Sequence, residues 1–105
     1  MEQKYSRMKP AELQIEIAEL KIKAQKAEQM GMINEYAVHE RKMIMAQAYL
    51  MDPANFIPGM VYEIKDGENE TFHVDYMNGV FAWGFRNQSK TKEAVPISVL
   101  GNKKR

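Results

Sequence analysis

The hydrophobic period of this chain changes once, at Pro58-Gly59, and that change limits the fold more than any other feature. Before it, apolar residues recur three and four positions apart. Leu13, Ile17, Leu20, Ala24, Ala27 and Met30 form one such series, and Ala37, Ile44, Ala48 and Met51, seven, four and three apart, lie on one face of another. That spacing belongs to helices with one covered face. After Gly59 the apolar residues alternate with polar ones, as in half-buried strands. Helices first and strands second describe an α+β chain rather than alternating β/α units.

The helical part has readable ends. Pro10 suits a first helical position, and Lys9 before it is pushed out of the helical region, so it takes the cap. Met8 and Leu13 are then spaced for a hydrophobic staple. Ile15 and Ile22 widen the apolar stripe, so the first helix is expected to be covered on more than one side. Glu12, Glu16 and Glu19 lie early and Lys21, Lys23 and Lys26 late, which complements the helix dipole. Gly31 is expected as a left-handed cap, Asn34 as the cap of a second helix, and Asp52-Pro53 as its stop. So short a connection makes the pair an antiparallel helical hairpin, at about residues 9–52.

Strands are expected at Met60–Ile64, Thr71–Met77, Val80–Arg86 and Glu93–Ile97, with a turn at Asp66-Gly67 and a polar loop at Asn87–Lys92. Pro96 puts the fourth at an edge or bend, and Ser98-Val99-Leu100 supplies a short turn or a fifth strand. Short strands of this kind close into a small SH3-like antiparallel β-barrel, at about residues 58–101, ending in a short basic tail at 102–105. At 105 residues the whole is read as one domain.

A two-residue turn at Asn78-Gly79 fixes the expected register of the central hairpin. It pairs Met77 with Val80, Tyr76 with Phe81, Val74 with Trp83 and Phe72 with Phe85. The aromatic residues then share the core face, with a stacking platform for bases or a proline-rich peptide as the alternative. Trp83 is the member expected to be partly exposed, because its indole N–H needs a partner. The opposite face would carry His73 across from Gly84 and Asp75 across from Ala82. It reads as a solvated outer face, a seat for the helical hairpin, or a contact surface for a partner.

Composition narrows the function. The absence of cysteine excludes a disulfide scaffold, a thiolate metal site and a cysteine nucleophile. The polar start, Met1 to Tyr5, predicts neither a signal peptide nor a membrane span, and the cytoplasm is the expected address. Residues 1–57 hold eight basic and eight acidic side chains, and residues 58–105 seven and six. Strong phosphate binding needs a concentrated basic face. Of the basic groups, Lys103, Lys104 and Arg105 lie in the tail, which is expected to fray.

Reaction chemistry has little to work with. His73 and Asp75 lie two apart without a companion nucleophile, and Glu35 and His39 give a metal-spaced pair without a third ligand. Asp66-Gly67 with Glu68 and Glu70 lacks the ligand order of a calcium loop. No enzyme activity, catalytic residue, metal or cofactor is therefore expected. The binding candidates are His73, Asp75, Trp83 and Arg86.

Three stretches carry a family resemblance: AEQMGMINEYAVHERK at Ala27–Lys42, DYMNGVFAWGFR at Asp75–Arg86 and VPISVL at Val95–Leu100. Together and in this order they resemble the YfhH-like proteins of Bacillus and related Gram-positive bacteria, over Tyr5 to Leu100. The resemblance implies an SH3-like barrel with an added amino-terminal helical hairpin. It also brings a loose label of transcriptional regulator, and it transfers no catalytic or binding residue. The expected function is a small nonenzymatic interaction or regulatory module. Its expected partner is another protein, and its expected state a monomer or weak homodimer. The alternative is direct nucleic-acid binding through Arg86, Lys90, Lys92 and the tail.

Overall fold

Proline at the first helical position and glycine just past the last one set the ends of the longest element. The computed structural model describes residues 2–104. It begins with a short helix α1 at Glu2–Ser6, continues with α2 at Pro10–Gln29 and reaches α3 at Ile33–Leu50. At the start of α2, the Lys9 backbone N–H donates to Glu12 Oε1 at 2.8 Å. At its end Gly31 takes φ +69°, and the N–H groups of Gly31 and Met32 donate to the carbonyls of Glu28 and Ala27. This is the Schellman arrangement, which satisfies carbonyls a helix end leaves open.

The second helix begins one residue before the expected cap. Tyr36 N–H donates to the Met32 carbonyl, so Met32 opens α3 and Asn34 lies inside its first turn. The glycine turn already aims the chain into the helix, leaving no extended residue for Asn34 to occupy. Leu13, near the start of α2, packs with Ala46, Met45 and Tyr49 from the end of α3, so the pair is antiparallel. Helix α1 was not foreseen, because only Tyr5 in it is a large apolar residue. That ring is 5% exposed, joins Leu13 and Ala46, and its hydroxyl donates to Glu16 Oε2 at 3.1 Å.

The chain divides into two compact units, Met1–Leu50 and Met51–Arg105. In the second, Asp52 caps a 3-10 turn at Pro53–Asn55 by accepting from Ala54 N–H at 2.9 Å. Strands follow at Val61–Ile64 (β1), Thr71–Asn78 (β2), Phe81–Arg86 (β3), Lys92–Pro96 (β4) and Leu100–Lys103 (β5). They form an antiparallel sheet in the order β4-β3-β2-β1-β5.

The α+β class and the helical hairpin therefore hold, but the sheet does not close into the expected barrel. Strands β4 and β5 are its two edges. The chain leaves β4 at Pro96, which has no N–H for a further ladder bond, and crosses by a 3-10 turn at Ile97–Val99 to β1. The expected basic tail is partly strand: Lys103 pairs with Tyr62, and Lys104 N–H donates to the Val61 carbonyl at 2.7 Å. Arg105 lies outside the described residues.

The central hairpin departs most from expectation. Its turn is Gly79-Val80, and Asn78 is the last residue of β2, paired with Phe81. Of the turn residues only Gly79 has positive φ, +59°, the pattern of a II′ rather than a I′ turn. Beside the turn the pairing moves by two residues, and beyond Asp75 it moves by one, a shift that exchanges the faces. Ala82 and Gly84 thus turn inward beside Phe72 and Val74, while Phe81, Trp83 and Phe85 turn to the half-buried outer face. The expectation of an aromatic core from β3 is overturned. Phe72, Val74, Ile97 and Leu100 fill the interior instead, each no more than 1% exposed.

A bulge makes this register possible. Val74 pairs with Gly84 and Tyr76 with Trp83, so Asp75 is one extra residue in β2. Gly84 lies where the bulged strand crowds in. A β-carbon there would overlap the His73 carbonyl and meet Asp75 N at 3.1 Å. The close approach suggested by these small residues is therefore made by the neighbouring strand. Gly84→Ala should cost about 3 kcal/mol of stability, the upper range for overpacking, because backbone rather than a flexible side chain must yield. Urea unfolding followed by circular dichroism measures it, and a loss below about 1 kcal/mol contradicts the packing described.

Candidate functional site

In a regular strand the residue after Asp75 would point inward. The bulge returns Tyr76 to the outer face instead, where its ring stacks on that of Trp83. Their centroids are 5.9 Å apart and their planes 5° from parallel. Stacked aromatic rings add about 1 kcal/mol beyond the area they bury. Tyr76 is 43% exposed, and Phe81 and Phe85 flank Trp83 along β3 on the same face.

The next strand contributes the cation. Lys92 pairs across from Phe85, and its ammonium lies 5.8 Å from that ring centre and 5.2 Å from that of Tyr76. The same ammonium is 2.8 Å from Asp75 Oδ2. The hydrogen bond to Asp75 raises the Lys92 pKa above the ordinary lysine value, with desolvation acting against it. The charge is thus held over the rings by the bulge residue itself.

The four expected binding residues do not form one cluster. Trp83 and Asp75 belong to the aromatic face directly. His73 is exposed on that face, paired across from Phe85. Arg86 is engaged by two carboxylates: Nε and Nη2 reach Glu93 at 3.4 and 3.3 Å, and Nη1 reaches Glu70 at 3.4 Å. The hydrogen bond to Glu93 leads in raising its pKa. Its fork is occupied in tying the β1–β2 turn to β4, so it is poorly placed to grip a phosphate.

Sequence reasoning passed over Tyr76 as the stacking partner of Trp83 and Lys92 as the cation over Tyr76 and Phe85. The Asp75-Tyr76 order carried no sign of a bulge, and Lys92 read as loop. The small residue across from β2 was the available signal, since glycine inside a strand often marks a bulge. Tyr76 also borders a shallow apolar depression lined by Phe56, Ile57, Pro58, Met77 and Gly79. Ile57 beside it is 45% exposed. Rings and depression together make one continuous apolar track on the sheet unit.

Among the described residues no three His, Asp or Glu side chains gather as a metal site, and Glu35 with His39 gains no third ligand. Among the same described residues, no helix is long and apolar enough to cross a membrane.

Residues 3–101 match the family described as a protein of unknown function, DUF1811. The chain belongs to that family. It is also 55% identical to the uncharacterised protein YfhH of Bacillus subtilis strain 168, across 98% of this chain and 99% of the relative. The resemblance read from the three sequence stretches is thereby borne out. A DUF1811 chain with this sheet holds its single tryptophan at the centre of the aromatic face.

Because Trp83 is stacked and half-buried rather than enclosed, Trp83→Ala should cost about 1.5 kcal/mol, short of the 3 kcal/mol or so lost with a fully buried aromatic. Chemical denaturation measures the difference. A loss of about 3 kcal/mol or more would return Trp83 to the core.

Proposed function

We propose that this DUF1811 protein is a nonenzymatic interaction module whose aromatic sheet face docks an extended segment of another protein. The Tyr76–Trp83 stack, continuous with the apolar depression at Ile57 and Pro58, carries the reading. An extended peptide, especially one rich in proline, presents flat apolar faces that suit such a track. The charge of residues 58–105 is nearly balanced, and Arg86 is held by Glu70 and Glu93. Both favour a peptide over a polyanion. The crossing from β4 to β5 by a 3-10 turn supports reading the open sheet as a partly closed SH3-like barrel. The cytoplasmic setting and a regulatory role in transcription belong to the same proposal, the latter on the family resemblance alone.

A second reading, single-stranded nucleic acid, draws on the same stack, since bases also pile on exposed aromatic rings. Trp83 is the only tryptophan, so its fluorescence reports occupancy of this face without labels. Crosslinking mass spectrometry in native lysate should capture protein segments at Lys90 and Lys92, with the signal lost in Trp83→Ala. Identical capture by wild type and variant removes the proposal. Quenching of Trp83 by oligonucleotide at about 50 mM salt, where electrostatic affinity is strong, would shift the assignment to nucleic acid.

A further inference from the structure

Helix α2 is apolar on two opposite sides, and only one is used within its own unit. Leu13, Leu20, Ala24 and Ala27 are buried. About half a turn away, Ala11, Ile15, Ala18 and Ile22 form a second stripe at the same helical spacing. Ile15 is 61% exposed and Ile22 65%. The two isoleucines are seven residues apart with Ala18 between them and Ala11 a turn before, a seam narrow enough for another helix to approach closely.

The charges beside this seam say which helix. One flank runs Glu12, Glu19, Lys26, acidic near the start of α2 and basic near its end. A helix with that polarity is complementary to itself reversed. We propose that the seam holds α2 of a second copy of this chain, packed antiparallel about a two-fold axis. A contact of this symmetry uses the same patch on both copies and so closes at two. Ile15 of each copy lies against Ile22 of the other, and Glu12 of each reaches Lys26 of the other. A parallel pair would instead set Lys21 against Lys26. Near the axis, Glu19 and Lys21 each face their own equivalents, on opposite flanks. That repulsion and the small area of one helix face make a weak, reversible dimer.

Sedimentation equilibrium of the full chain, up to about 200 µM, tests this over the range where weak association registers. Wild type should show a monomer–dimer equilibrium. I15K/I22K should be monomeric with unchanged circular dichroism, since both side chains already face water. Lys26→Glu should weaken the dimer about tenfold, because like charges then meet across the interface. The charge swap E12K/K26E should restore it, which an unspecific hydrophobic association would not do. A monomeric wild type, a dimer that persists in I15K/I22K, or a swap that fails to restore association would each overturn the proposal.

Discussion

The sheet depends on a missing side chain. At Gly84 the backbone of β2 comes so close that no β-carbon can fit, and that approach accommodates the extra residue at Asp75. Without the bulge, a strand with Phe72 and Val74 inward would also turn Tyr76 inward, away from Trp83. With it, the inner face keeps its aliphatic and phenylalanine filling while the outer face gains a continuous row of rings. The Asp75 carboxylate, set out by the same bulge, then holds Lys92 over those rings. The packing of the inner face and the row of rings on the outer one are consequences of one local irregularity.

The helical unit is organised more conventionally, by caps and a narrow core. Helix α1 closes the open end of the hairpin by placing Tyr5 over Leu13 and Ala46. Its hydroxyl finds Glu16, so the ring can be buried without stranding its polar atom. The consequence for function is that the outer side of α2 is left with no structural duty inside its own unit. Isoleucines on a water-facing helix surface contribute little of the burial that normally stabilises them, which makes them informative.

Legibility followed the length scale of the physics. Helix ends were legible because Pro10 and Gly31 act through their own backbone restrictions, and strands because a period of two survives in short windows. The register of β2 and β3 was not, because it is set by relations between strands. Asn78-Gly79 is a strong signal for a I′ turn, yet Gly79-Val80 forms a II′ turn and moves the pairing beside it by two, and the bulge at Asp75 cuts the shift beyond it to one. That bulge, which no local pattern announces, exchanged the aromatic row with the small-residue row and so hid the candidate face. The closed barrel failed for a related reason: whether β4 meets β5 depends on how the chain turns at Pro96, which local pattern does not encode. Of the binding candidates, Trp83 was read as partly exposed for its need of a polar partner, and it is half-buried against the ring of Tyr76.

The two readings of the Asn78-Gly79-Val80 segment have a kinetic side. An isolated β2–β3 ribbon could close through Asn78-Gly79 and bring Phe72, Val74 and Tyr76 together with Phe81, Trp83 and Phe85, a larger apolar cluster than the native pairing collects on either side. Such a ribbon would form early, since hairpins close within microseconds. In the native sheet Tyr62 pairs with Phe72, and Val74, Ile97 and Leu100 fill the interior in place of the rings of β3. A ribbon closed through Asn78-Gly79 would therefore have to reopen before Val74 could meet Gly84. The rings that distinguish the outer face are the same ones that such a ribbon would gather on the wrong side.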